Sequence, residues 1–200
     1  MTAPPSPGPR AARVRRTTAE TDVEVELRLD GEGRVQAQTG LGMLDHLLTA
    51  LGRHARFDLG VRCTGDLHID DHHSVEDVAL TLGEALRQAL GDKAGVARFG
   101  HAYAPLDEAL ARAVVDLSGR PWPAITLGLR RERVGDVAAE NLTHFLISLA
   151  VAGQMNLHVD LLRGENDHHR VEAAFKAVAL ALKAAVAQVG GGVPSTKGVL

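Results

Sequence analysis

A single cysteine, Cys63, stands among 200 residues, so no disulfide can form within the chain and an oxidising compartment is not required. Aromatic residues are equally scarce, with one Trp, one Tyr and four Phe. No apolar run approaches the roughly 20 residues that cross a bilayer, which excludes a helical membrane span. Charge of one sign is also missing. Twenty-two Lys and Arg against 25 Asp and Glu leave a net charge of -3, so no broad basic field exists to hold a nucleic acid. Any phosphate must be held locally, and the cytoplasm is the expected location. Residues Met1 to Arg16 are rich in Pro and carry Arg10, Arg13, Arg15 and Arg16. They lack the apolar centre of a secretory signal, and residues 1–13 read as a disordered tail.

What the chain has in excess is histidine, ten in all, on a background of 45% hydrophobic residues that suffices for a sizeable core. Val23, Val25, Leu27 and Leu29 alternate with polar residues as in a half-buried strand, and Asp30-Gly31 reads as a turn into a partner strand over Arg34 to Gln38. Leu44, Leu47, Leu48 and Leu51 recur at helical spacing over Met43 to Arg53. Alternation returns at Phe57, Leu59, Val61 and Cys63, and a second helix runs from His72 to Leu90, stopped by Gly91. The order is ββαβα. From near Arg98 it recurs: strands over Ala109–Leu117 and Ile125–Leu129, a helix over Glu140–Gly153, a strand over Leu157–Leu161 and an Ala-rich helix over His168–Val189.

Residue identities support a duplication. Asp71-His72-His73-Ser74-Val75-Glu76 and Asp167-His168-His169-Arg170-Val171-Glu172 share DHHxVE, and Asp45-His46-Leu47-Leu48 is echoed by Thr143-His144-Phe145-Leu146. The halves are residues 14–95 and 96–200, and the fold class is α+β with internally duplicated ββαβα units.

At the start of a helix, DHHxVE lets the first His and the Glu share one face, while the second His points elsewhere. Each motif therefore supplies a His/Glu pair to one metal and a second His to another. Adding His46 and His144 completes eight ligands for two metals, each with three imidazoles and a carboxylate. Such a set suits Mn, Fe, Co, Ni or Zn rather than Ca or Mg, and a six-coordinate manganese with two open positions is favoured. A lone HH pair is usually a surface accident and a lone HxxxE an i,i+4 helix pair; repetition of the whole motif argues against both. His68, His101 and His158 are expected to be structural or supporting. Ligands that face opposite ways on neighbouring helices are reconciled by sites shared between chains, so an oligomer is expected, although an arrangement within one chain also satisfies the count.

These residues resemble the imidazoleglycerol-phosphate dehydratase family. The resemblance runs from about Val14 to Leu200. It includes Arg16-Thr17-Thr18-Ala19-Glu20-Thr21, the segment around Leu44-Asp45-His46-Leu47-Leu48, Ile69 to Asp77, Arg98-Phe99-Gly100-His101, Pro105-Leu106-Asp107-Glu108-Ala109, Asp116 to Pro121, GENDHHRVEAAFKA from Gly164, and Pro194-Ser195-Thr196-Lys197-Gly198-Val199-Leu200. Leu47 and Leu106 stand where Met is common. The resemblance implies helices packed between two four-stranded sheets and a cytoplasmic homo-oligomer of 24 subunits, with active sites at subunit interfaces. It also implies a lyase of histidine biosynthesis with two Mn2+ per active site, dehydrating imidazole-glycerol phosphate to imidazole-acetol phosphate through an imidazolate held between the two ions. Following the pseudo-symmetry, His72, Glu76, His46 and His169 are expected around one metal, and His168, Glu172, His144 and His73 around the other. The resemblance points to Glu20 as acid/base, assisted by His54, and to Arg98, Arg120, Lys176, Ser195 and Lys197 for the substrate phosphate. Two rivals remain at this point: a dimetal phosphate-ester hydrolase, which would need a carboxylate bridging the metals, and a non-catalytic metal-assembled cage, which gives Glu20 and the cationic tail no role.

Overall fold

The computed structural model describes residues 10–200. The first half holds strands β1 (Ala11–Thr17), β2 (Thr21–Arg28), β3 (Val35–Gln38) and β4 (Asp58–Gly65), with helices α1 (Gly42–Ala55) and α2 (His72–Leu90). The second holds β5 (Phe99–Leu106), β6 (Ala109–Asp116), β7 (Trp122–Thr126), a short hairpin β8 (Arg133–Val134) and β9 (Val137–Ala138), helix α3 (Ala139–Ala152), β10 (Asn156–Arg163) and α4 (Asp167–Ala185). Each half builds its own four-stranded sheet, in the orders β1-β2-β4-β3 and β5-β6-β10-β7. The two orders are the same arrangement made twice.

Two features differ from the sequence expectation. Each half opens with an edge strand in front of the expected ββαβα order. Residues 1–9 of the expected tail lie outside the described residues, but from Ala11 the chain is sheet rather than tail. The cause is pairing: Arg13 and Arg15 meet Glu24 and Asp22 on the neighbouring strand, and Arg16 reaches the buried Asp77 of α2 at 2.8 Å. Cross-strand ion pairs make a basic run into a strand that composition alone reads as a tail. In β5 the inward positions are the small Gly100, Ala102 and Ala104, too weak an apolar pattern to register as a strand. Gly100 is required there, because a Cβ would collide with the Ala181 carbonyl of α4. The second difference is topological. β3 does not pair with β2; it lies parallel to β4, which inserts between them. Helix α1 is the crossover that parallel strands need.

The four helices form the layer between the sheets. α2 packs on β1, β2 and β4, and α4 on β5, β6 and β10. The alternate residues Val23, Val25 and Leu27 of β2 and Ala111, Ala113 and Val115 of β6 are buried against them, as period-2 patterning requires. Phe145 and Phe175, their rings 5.3 Å apart, sit fully buried in the helix layer. Each such side chain contributes about 1.5–3 kcal/mol by leaving water. Within the layer, α1 lies beside α4 and α2 beside α3. The first helix of each half therefore packs on the second helix of the other. None of the helices among the described residues is long and apolar enough to cross a membrane.

Candidate metal centres

The pairing of helices decides which histidines meet. His72 and Glu76 sit one turn apart at the start of α2, and His144 of α3 comes to them across the α2/α3 contact; the ligand atoms of these three lie within 4.8 Å of one another. His144 Nε2 is 2.9 Å from Glu76 Oε1, and the His72 and His144 rings stack at 5.0 Å. The mirror arrangement joins His168 and Glu172 of α4 to His46 of α1, again within 4.8 Å. Here His46 Nε2 is 2.8 Å and His168 Nε2 3.2 Å from Glu172 Oε2. Within the chain, His46 thus lies with the second motif and His144 with the first, the reverse of the pairing expected from the pseudo-symmetry. Spacing alone could not show this, because it depends on which helices are neighbours.

Local structure fixes where these side chains point. Asp70 Oδ1 accepts the His72 backbone N–H at 2.8 Å, and the Asn166 side-chain oxygen caps α4 by accepting that of His168 at 2.9 Å. In both motifs the backbone N–H of the first His is thus held by a side-chain oxygen two residues earlier. The buried Asp71 accepts the backbone N–H of Ala138 and the side-chain amide of Asn141, tying the start of α3 to the start of α2. Asp167, also buried, accepts from the backbone of Arg130 and Arg131 at 2.7 Å.

The second histidines of the motifs turn away from the triads. His73 Nδ1 donates to Asp66 at 3.0 Å, and His169 Nδ1 donates to Glu108 at 2.7 Å. The carboxylate partner raises each imidazole above its ordinary pKa. Glu108 is held at about 2, first by the Asn166 backbone N–H, then by His169 and the Glu165 N–H. Such a carboxylate fixes the ring and leaves Nε2 as the outward atom, the arrangement usual for a metal-ligating imidazole. Sequence reasoning assigned no role to Asp66, Asn141 or Glu108. Glu108 does fall within the Pro105–Ala109 segment that carried the family resemblance; Asp66 had no sequence signal.

Glu20 lies in the β1/β2 turn with Oε1 3.7 Å from His73 Nε2, which places it beside a histidine of the first motif. His54 stands two turns after His46 on α1; burial lowers its pKa, and the nearby Lys176 cation lowers it further. Lys176, one turn after Glu172, pairs with Glu172 Oε1 at 2.6 Å. Burial pushes the Glu172 carboxyl up, but hydrogen bonds from Lys176 and His46 outweigh it and hold the group at about 2. The other cations expected to read phosphate gather at the C-terminal segment. Arg98 spends Nε and Nη2 on Asp116 and donates Nη1 to the Pro194 carbonyl, anchoring the stretch that carries Ser195 and Lys197. Leu200 lies against Gly119, next to Arg120. Lys93, which sequence reasoning passed over, is buried close to the same glycine. Arg98 and Arg120 with the tail thus form one group, and Lys176 stands at the second triad.

A concave surface of about 470 Å³ beside the second triad is lined by Gly42, Met43, His46, Gly135, Asp136 and His168. A larger cavity, about 840 Å³, lies on the outer face of the first sheet. It touches neither triad, and its Arg13, Glu26, Arg34 and Asp58 are already ion-paired, so size does not mark the chemistry here. Two imidazole nitrogens and a carboxylate oxygen converging at each triad form a donor set that fits a borderline transition metal and leaves coordination positions open.

Comparison with known proteins agrees with these features. A family model described as imidazoleglycerol-phosphate dehydratase matches residues 39–182. Curated proteins of that name include one from Chlorobium luteolum, 53% identical over 96% of this chain and 96% of its own length, and one from Salinibacter ruber, 54% identical over 98% of each. One from Phytophthora nicotianae is 57% identical over 96% of this chain, which spans 43% of that longer protein. The crystal structure of the enzyme from Pyrococcus furiosus superposes with a TM-score of 0.80 at 39% identity, covering 94% of this chain and all of that one. That from Staphylococcus aureus gives 0.80 at 34% identity, over 89% and 99%. With matching sequence over nearly its full length and the same fold, the chain belongs to the imidazoleglycerol-phosphate dehydratase family.

Proposed function

We propose that this chain, a lyase of histidine biosynthesis by its family, dehydrates imidazole-glycerol phosphate to imidazole-acetol phosphate in the cytoplasm, as a 24-subunit assembly holding two Mn2+ per active site. The observation that carries this reading is the pair of His/His/Glu triads, each built from both halves and each short of a full ligand set, with His73 and His169 fixed by carboxylates and turned outward. In an assembly those two histidines complete a neighbour's triads, giving His46, His168 and Glu172 or His72, Glu76 and His144 a third imidazole.

The reaction removes a proton from a carbon with no adjacent carbonyl, which is why it needs an electron sink. Cations held by the triads would supply Lewis-acid polarisation of the substrate's imidazole ring. The remaining work falls to this chain's own groups. Glu20, beside His73, takes the proton from the second glycerol carbon. The hydroxyl on the ring-bearing carbon leaves as water, and the resulting enol regains a proton at that carbon to become the ketone. His54 assists proton movement on the side of the second triad. Arg98, Arg120, Lys176, Ser195 and Lys197 hold the phosphate, a dianion that fixed cations bind through charge-assisted hydrogen bonds.

The two rivals find less support. Glu76 and Glu172 each belong to one triad, so neither serves as the carboxylate bridge a dimetal hydrolase requires. A cage without catalysis leaves Glu20 without a purpose. Incubation of the manganese-loaded protein with imidazole-glycerol phosphate should yield the ketone and no inorganic phosphate, and Glu20→Gln should abolish turnover with metal content and assembly unchanged. Release of phosphate without ketone would overturn the dehydratase reading.

A further inference from the structure

The internal duplication allows each triad to be compared with its counterpart position by position, and the two are not equivalent. At the first, His72 Nδ1 lies 3.0 Å from Asn141 Oδ1, and the buried Asn141 donates its amide N–H to Asp71 Oδ2, also at 3.0 Å. A carboxylate only accepts, so Asp71 orients the amide with its oxygen toward His72, and His72 must carry its proton on Nδ1. Nε2 is then left as a lone pair facing Glu76 and His144. Matching His46 to His144 places Met43 where Asn141 stands. Met43 lines the cavity beside His46 and His168, and among the described residues no hydrogen-bond partner orients His168 through Nδ1.

A second difference is independent of the first. Lys176 Nζ pairs with Glu172 Oε1 at 2.6 Å, whereas matching Glu172 to Glu76 places Leu80 at the corresponding position on α2. A cation entering the second triad must share its only carboxylate with a fixed ammonium group. At the first triad, the partners of Glu76 among the described residues are imidazoles alone, His72 and His144.

We infer that the two triads are unequal metal sites: His72, Glu76 and His144 form the tight site, filled first, and His46, His168 and Glu172 the weaker, exchangeable one. This rests on the reading that the triads hold the cations. Orientation of a ligating imidazole by an outer hydrogen bond changes metal affinity by about tenfold to a hundredfold, so the Asp71–Asn141 chain alone suffices to separate the sites.

The test is a titration of the metal-stripped full-length protein with Mn2+, following free ion by electron paramagnetic resonance. Two binding classes of equal size are expected, separated by about tenfold or more. His144→Ala should remove the tight class and His46→Ala the weak one. Asn141→Leu should loosen the tight class, and Lys176→Met, which removes the charge and keeps a side chain of similar length, should tighten the weak class. A single class that both Asn141→Leu and Lys176→Met leave unmoved, or loss of the tight class in His46→Ala, overturns the inequality. Absence of stoichiometric binding in the unaltered protein would instead overturn the reading of the triads as metal sites.

Discussion

Substituting Gly83 by Ala separates local helix preference from the tertiary contact that assembles the first triad. Gly83 lies inside α2, seven residues after Glu76 and so on the same face two turns along, about 10 Å away. A Cβ there would stand 2.8 Å from Ala152 Cβ, the Gly153 nitrogen and the Leu149 carbonyl oxygen, where ordinary contact begins at 3.4 Å. Two of the three are backbone atoms at the end of α3, so α3 itself must move, by about 0.6 Å. Helix propensity favours Ala by about 0.8–1.0 kcal/mol, and forced overpacking costs about 1–3 kcal/mol. The expected net effect is a loss of roughly 0–2 kcal/mol, each unit lowering the melting temperature by roughly 2–4 °C for a chain of this length. The same displacement acts on the 2.9 Å contact of His144 with Glu76, and a site needs its ligands within about 0.5 Å of their places, so Mn2+ affinity should fall as well. Thermal unfolding at fixed protein and metal concentrations, with a parallel metal titration, reads both effects. A variant that melts about 3 °C higher with unchanged affinity would refute the close α2/α3 approach.

Arg98→Met should release the C-terminal segment, since it removes the ion pair with Asp116 and the bond to the Pro194 carbonyl; KM should rise about tenfold or more with metal content unchanged, and trypsin should cut after Lys197 sooner. Equal tryptic lifetimes would contradict the anchoring role. Asp58 holds the turn before β3 by accepting the backbone N–H groups of Glu32 and Arg34, and its carboxyl is lowered from 3.8 to about 2, first by those two bonds. A depressed acid stabilises the fold fully above its unfolded pKa and loses that contribution as pH falls through the folded value. Unfolding midpoints should therefore drop between about pH 4 and pH 2 more steeply in the unaltered protein than in Asp58→Asn. Parallel curves would show that Asp58 carries no such linkage.

Much of the chemistry could be read before the fold because the histidines lie in helices whose periodicity is strong and whose motif occurs twice. The DHHxVE spacing states that His72 and Glu76 share a face and His73 does not, and the geometry agrees. Which helices lie side by side is a different kind of information. α1 meets α4, and α3 meets α2, through contacts spread over the whole helix layer, and no local pattern around His46 or His144 encodes the partner. The edge strands were hidden for opposite reasons: β1 is arginine-rich and half exposed, β5 small and glycine-containing on its inner face. Asn141 and Asp66 escape sequence reasoning, and Glu108 shows only as part of a family motif without a role, because each orients another side chain, and a single amide or carboxylate announces nothing about what it will face.

The most direct test of the account is the location of manganese in the loaded assembly by anomalous scattering. The account predicts two ions per chain, one at His72, Glu76 and His144 and one at His46, His168 and Glu172, each also bound by a His73 or His169 from a neighbouring subunit. An ion held by both His72 and His73 of one motif, or by His46 together with Glu76, would contradict it.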